Sequence, residues 1–361
     1  MKSSNRIYYL SERNPDGTTA GNKARNDVEN ILQKRKYIPI SALQLGLERK
    51  HGNRIAFKLK ALLFINKIKN NIPLNSTIVI QYPMMAQFTN SNNKIDYSSI
   101  FSKLSKFYKL IAIVHDINDL REERVNHSNL DDLKLAYAII SHNKNMTDYL
   151  IKSGINSNRI FNLEIFDYLS SYQNKDSHFD DEATICFAGN LNKSRFIYTI
   201  PDNIRDLGIN LYGNGYELKK DKSPYLNYQG TYSSEKISSI IKGKYGLIWD
   251  GEKSNTCTGL VGNYLKYNNP HKLSMYLVAN IPIIIWDQAA EAQFVKKNNV
   301  GITISSIDEI PNKLSSIDAK KYDKMLDSVK LIKNKLLQGK YLNTQLDNIE
   351  SKIINKKNEN K

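Results

Sequence analysis

The sequence predicts an α/β protein made of two doubly wound units. Three observations predict it. Apolar, strand-like runs alternate with helical segments along most of the 361 residues. The strand-like runs are continuous rather than alternating, as strands buried on both faces of a parallel sheet are. A polar, aperiodic stretch, residues 170–182 (SSYQNKDSHFDDE), interrupts the pattern midway, after which it restarts.

Taken in order, residues 6–10 form a short strand. Residues 21–33 read as a helix, with Val28, Ile31 and Leu32 at helical spacing. Residues 37–43 are apolar again, and 55–67 form a long amphipathic helix. Buried strands follow at 77–82 (TIVIQY), 110–115 (LIAIVH) and 137–141 (YAIIS). A helix at 145–153 leads to a strand at 159–166. In the second half, strands are expected at 184–188 (TICFA), 209–212 (INLY), 245–249 (YGLIW), 281–286 (IPIIIW) and 300–304. Helices at 233–242, 271–279 and 289–298 lie between or beside them. Residues 319–354 read as charged helix, able to stay on the second unit or cross back to the first. The expected division is therefore 1–169, a linker at 170–182, 183–354, and a disordered tail at 355–361.

Composition sets limits. Lys and Arg number 52 against 36 Asp and Glu, a net charge of +16. Such a surface attracts phosphate-bearing partners. The cations are dispersed, which favours a solvated surface or loose membrane association over nucleic-acid binding. No apolar run reaches the length of a membrane span or a signal peptide, so a cytoplasmic protein is expected, possible contact with the inner membrane face included. Two cysteines, Cys186 and Cys257, make neither a disulfide framework nor a zinc site, and no metal is expected.

In doubly wound sheets ligands bind beyond the carboxyl ends of the strands. The loops at those ends therefore carry the functional reading. The strongest is CTGLVGNYLKYNNPHK, residues 257–272. Asn269 can cap a helix that Pro270 begins, which puts Lys272 in the first turn. Free N–H groups, the dipole and the ammonium together suit a diphosphate. Gly259 and Gly262 would let backbone approach a ligand. The competing reading is a capped helix whose lysine points to water. In FAGNLNKSR, residues 187–195, Lys193 and Arg195 follow a strand end and could neutralise phosphate, or sit in solvent. In YQGTYSSE, residues 228–235, Ser233 is a candidate cap, and Tyr232 could stack on a base or merely pack. NPDGTTAGNKA, residues 14–24, is a Gly- and Thr-rich loop after the first strand and is not a P-loop. His115 and Asp116 end a strand and are candidates for a general base, the alternative being a packed His and a capping Asp.

At this point the residues resemble a family. Residues 262–295 (GNYLKYNNPHKLSMYLVANIPIIIWDQAAEAQFV), with FAGNLNKS and IVHDINDLR, are similar to bacterial sugar transferases related to galactofuranosyltransferases. They are most similar to the glucosyltransferases that extend GlcNAc on serine-rich repeat adhesins. The resemblance implies a GT-B fold, two Rossmann-like domains facing a cleft. It implies a UDP-sugar donor, no metal or other cofactor, and a glycoprotein acceptor already bearing GlcNAc. Family members assemble as homo-oligomers, tetramers or dimers. By motif, Lys272 would hold the diphosphate, with Gly259, Asn269 and His271 as further donor contacts. Asn190, Lys193 or Arg195 would lie near the phosphates, Tyr232 near the nucleoside, and Thr18 or Thr19 in the N-terminal loop. The activity implied is transfer of glucose or GlcNAc, with galactofuranosyl transfer in surface polysaccharide synthesis as the alternative. A basic nucleic-acid-binding protein is the reading from another class.

Overall fold

A computed structural model of the chain describes residues 6–12, 20–41, 54–84, 98–123, 128–172, 183–217 and 225–359. Contacts divide the chain into two units. The first holds Met1–Pro15, Arg25–Leu163 and Asn343–Lys361, and the second holds Asp16–Ala24 and Glu164–Leu342. This differs from a linear division. Part of the N-terminal loop goes with the second unit, and the end of the chain goes with the first. Thr18 and Thr19 fall outside the described residues, as does most of the expected linker.

The first unit contains a six-stranded parallel sheet. Its strands are β1 (Ile7–Ser11), β2 (Ile38–Ser41), β3 (Thr77–Tyr82), β4 (Lys109–Val114), β5 (Ala138–Ser141) and β6 (Ile160–Asn162). Their order is β2-β1-β3-β4-β5-β6. The winding reverses between β1 and β3, which pair through Ile7↔Thr77 and Tyr9↔Val79. All six residues of β3 are buried, which is why its run is apolar without alternation.

The second unit also contains a six-stranded parallel sheet, in a different strand order. Its strands are β7 (Ile185–Ala188), β8 (Ile209–Tyr212), β9 (Leu226–Tyr228), β10 (Tyr245–Ile248), β11 (Ile283–Trp286) and β12 (Gly301–Ile304). The order β12-β11-β10-β7-β8-β9, all parallel, is the doubly wound order of a dinucleotide-binding sheet, with its reversal between β7 and β10. Strand β9 was not expected. It has three residues, only one of them buried, too short to leave a pattern.

Two expectations for the chain end are corrected. The charged segment is two helices, Ala319–Leu337 and Lys340–Glu359. They part at Gly339, whose φ of +67° ends a helix at little steric cost. The second continues to Glu359, so the backbone from 355 to 359 is helical rather than disordered. That helix crosses between units, as its residues from Asn343 on group with the first. There Arg35 pairs with Asp347 at 2.7 Å and with Glu350, and Glu350 also accepts from the Tyr37 hydroxyl.

Candidate functional site

Where β7 and β10 diverge, Tyr276 fills the gap. Its hydroxyl accepts from the Ala188 N–H at 2.8 Å and donates toward the Leu247 carbonyl at 3.3 Å. Its ring lies over Gly246, where an added Cβ would fall 2.4 Å from the ring. Above this plug the strand ends open into a cavity of about 470 Å3. That volume is in the range of small-molecule sites, roughly 300–1,000 Å3. The cavity is lined by the ends of β7 (Ala188, Gly189, Asn190) and β8 (Tyr212, Gly213, Asn214), and by residues after β9, Tyr232 among them. His271 and Lys272 close it from the other side. The β7 and β8 ends touch because residue 213 is glycine. Its φ is +132°, and a Cβ there would meet the Gly189 carbonyl oxygen at 1.8 Å.

Lys272 lies in the first turn of the helix His271–Val278. Its ammonium is 2.9 Å from Asp250 Oδ1, 3.4 Å from the Trp249 carbonyl and 4.8 Å from the centre of the Phe187 ring. An ammonium has three donors. Two of Lys272's face these oxygens just beyond β10, so one remains for an anion in the cavity. The helix was expected to be capped by Asn269. Instead Pro270 is its N-cap, with no side-chain cap, and buried Asn269 donates its amide to the Glu164 carbonyl at 3.1 Å. Asn269 thus anchors the loop before the helix, and the helix N–H groups are not covered by a side chain.

His271 packs against Tyr168 and Phe166, with ring centres 5.0 and 6.2 Å away. Its Nε2 is buried without a partner among the described residues. Burial, helped by the nearby Lys23 charge, pushes its pKa down to about 3. His271 therefore lines the cavity as a neutral ring. A further cation of the region is Lys23, which lies in the first turn of the helix Ala20–Lys34, so that residues 20–24 are helical rather than loop. It is 1% exposed, lies 4.6 Å over the Tyr168 ring, donates to the Leu169 carbonyl and stands 3.5 Å from Glu235. A lysine beside Gly21 and Asn22 gives no sequence signal of burial; only the fold brings it to Tyr168.

The remaining expectations divide. Asn190 and Tyr232 line the cavity, with the Tyr232 ring 6.2 Å from that of Tyr212. Lys193 and Arg195 are exposed and are not among the lining residues. Gly259 opens a separate six-residue helix, Gly259–Tyr264, also away from the lining. Ser233 is not a helix cap: residues 234–236 form a turn and the helix is only Ile237–Ile240.

The carboxyl end of the first sheet carries a buried polar network. Arg25 donates to Glu12 at 3.0 Å and to the Gln81 and Pro83 carbonyls. Glu29 accepts from Ser11 Oγ at 2.8 Å and from the Glu12 N–H at 2.7 Å. Gln81 donates its amide to the Arg25 carbonyl, and its Oε1 lies 2.8 Å from His115 Nε2. Since Gln81 Oε1 only accepts, His115 carries its proton on Nε2. Asp116 is paired with Arg121. Both cysteines are buried and free. Among the described residues no cluster of His, Cys, Asp and Glu could hold a metal, and no helix is long and apolar enough to cross a membrane.

Comparison with known proteins agrees with this architecture. Residues 7–165 match the model for the glucosyltransferase 3-like N-terminal domain, and residues 185–349 match that for its C-terminal domain. A β-1,6-galactofuranosyltransferase, WbbI of Escherichia coli (strain K12), is 33% identical over 349 residues, 95% of this chain and 98% of that one. Glucosyltransferase 3 of Streptococcus gordonii is 23% identical over 241 residues, 64% of this chain and 67% of the relative. Among solved structures, a sucrose-phosphate synthase from Thermosynechococcus elongatus superposes with a TM-score of 0.61 at 10% identity, covering 96% of this chain and 100% of that one. The lipopolysaccharide outer core galactosyltransferase WaaB gives 0.60 at 11%, covering 96% and 99%. With two parallel doubly wound sheets and matches along nearly its whole length, the chain belongs to the glucosyltransferase 3-like family and is a glycosyltransferase of GT-B fold.

Proposed function

We propose that this enzyme transfers a galactofuranosyl unit from a UDP-sugar to a surface-glycan acceptor, with the donor nucleotide in the cavity of the second sheet. The observation that carries the donor site is Lys272, held beside Asp250 at the rim of a cavity where the sheet reverses. Its spare donor and the uncapped helix end favour a diphosphate. As the bond from the sugar to the β-phosphate oxygen breaks, negative charge grows on that oxygen. A preplaced ammonium and helix dipole stabilise it more than they stabilise the bound donor. That charge balance supports a reaction without metal. Turnover unchanged by a chelator is the expected result, and loss of turnover restored by Mg2+ would contradict it.

Tyr232, 39% exposed at the cavity, offers a ring face to the nucleobase. On the first unit His115 and Asp116 are the candidates to accept the proton of the acceptor hydroxyl as the new glycosidic bond forms. His115, hydrogen-bonded through Nε2, is the better placed of the two, because Asp116 already pairs with Arg121.

Galactofuranose comes first because the match to the galactofuranosyltransferase spans nearly both chains. A second reading, glucose from UDP-glucose onto a GlcNAc-bearing glycoprotein, is favoured by the family description and by the streptococcal relatives. Offering UDP-galactofuranose and UDP-glucose with glycan and GlcNAc-peptide acceptors, read by mass spectrometry, separates the two. Hexose addition from UDP-glucose alone would overturn the first reading. A homo-oligomer, tetramer or dimer, is part of the proposal and is tested by light scattering.

A further inference from the structure

The cations are dispersed but the acids are not, so net positive charge collects where acids are scarce. Between residues 54 and 114 nine Lys and Arg stand against one acid, Asp96, in a chain of net charge +16. The helix Arg54–Asn71 within that stretch, RIAFKLKALLFINKIKNN, has five cations and no acid. Its exposed side includes apolar residues as well. Leu62 is 45% and Leu63 63% exposed, and Leu74, in the turn after the helix, is 58% exposed. Lys67, Lys69 and Lys106 are exposed among them. On the helix, Leu62 stands seven residues before Lys69 and Leu63 four before Lys67, which puts each pair on one side. Lys69 lies 4.1 Å over the Phe107 ring, and the Asn75 N–H donates to the Phe107 carbonyl at 2.8 Å, which sets Leu74 and Lys106 beside each other's segments.

We propose that this face docks on an anionic phospholipid bilayer, with the lysines at the headgroups and the leucines at the edge of the acyl region. The helix buries Ile65 and Ile68 on one side and presents Leu62 and Leu63 among lysines on the other, so its exposed side offers both kinds of contact. Anionic headgroups satisfy the lysines, and the acyl region takes the exposed leucines out of water. A nucleic acid would use the cations and leave the leucines in water. The proposal stands independently of which sugar is transferred.

Co-sedimentation of the full chain with vesicles tests it. Vesicles of equal parts phosphatidylglycerol and phosphatidylcholine are compared with pure phosphatidylcholine at about 0.1 M salt. The expected result is at least about tenfold tighter binding to the anionic vesicles, weakening as salt rises. Lys67→Glu with Lys106→Glu should cut that binding at least about tenfold. Leu62→Ser with Leu63→Ser, which leaves the charge unchanged, should cut it about threefold or more. Lys320→Glu with Lys324→Glu, the same charge change on exposed sites of the second unit, should leave it within about twofold. Absence of binding to anionic vesicles, equal binding to both vesicles, or equal effects of the Lys67 and Lys320 pairs would overturn the proposal. So would leucine variants that bind like the parent, or single-stranded RNA binding sensitive to Lys67 and Lys106 without vesicle binding.

Discussion

The carboxyl ends of the two sheets are finished in opposite ways. In the second unit the ends of β7 and β8 stop at Gly189 and Gly213, and space opens over them, with Lys272 at its rim. In the first unit the ends of β1 and β3 run into a buried set of charged and amide groups, Glu12, Arg25, Glu29 and Gln81, with His115 at its border. Both sheets are parallel and doubly wound, with different strand orders, and each has a reversal point at which a ligand could sit. Small residues and one tethered cation leave the second edge open over a cavity. Among the described residues of the first edge, buried charges bond one another, and the His115 imidazole is held by Gln81.

The contrast is tested most strongly at Arg25. Its replacement by Ala takes the guanidinium from between buried Glu12 and the Gln81 and Pro83 carbonyls. Breaking a buried ion pair costs about 3–5 kcal/mol. Denaturant unfolding should show a loss of that size, and a loss below about 1 kcal/mol would mean the first edge is not held by this network.

Acid should act on the same edge. His142, just after β5, is fully buried, its Nε2 lies 3.0 Å from the Val114 carbonyl, and burial pushes its pKa down to about 4. The unfolded chain takes up this proton near pH 6.5, whereas the folded chain does so only near 4. Stability from this group is therefore intact above pH 6.5 and falls as pH drops toward 4, by on the order of 3 kcal/mol. A His142→Gln variant should show a flatter stability–pH curve across that window. An unchanged curve would place the acid sensitivity elsewhere.

At the second edge the expected effects are smaller and fall on binding. Tyr232→Ala should weaken UDP binding by about 1–2 kcal/mol, roughly tenfold, by removing one stacking face. Because Tyr232 is 39% exposed, stability should change by no more than about 0.5 kcal/mol. Smallest of all, Lys193→Ala and Arg195→Ala should alter UDP affinity less than about twofold, as both side chains are exposed away from the cavity lining. A larger effect from either would extend the donor site beyond this cavity.

The sheets were legible because strands buried on both faces carry unbroken apolar runs. TIVIQY and INLY coincide with β3 and β8 residue for residue. What escaped was local or long-range. Strand β9, with LNY, lacks enough buried residues to stand out. Asn269 and Pro270 looked like a cap and a first turn, but the Asn269 side chain is drawn to Glu164, 105 residues away, a contact no local pattern encodes. Lys272 was legible from its place after a buried strand and a proline. Its partner Asp250 and the buried Lys23 were not, since each depends on which strands become neighbours.

The claim that the open edge of the second sheet is the donor site rests on Lys272, and calorimetric titration of UDP into the parent protein and into Lys272→Ala tests it most directly. The parent should bind, and the variant should bind at least about tenfold more weakly, the loss of one charge-assisted contact of about 1.5–3 kcal/mol. The folded stability of the two should be similar, since Lys272 is only partly buried against Asp250. Equal UDP affinity in a folded Lys272→Ala protein would contradict the account.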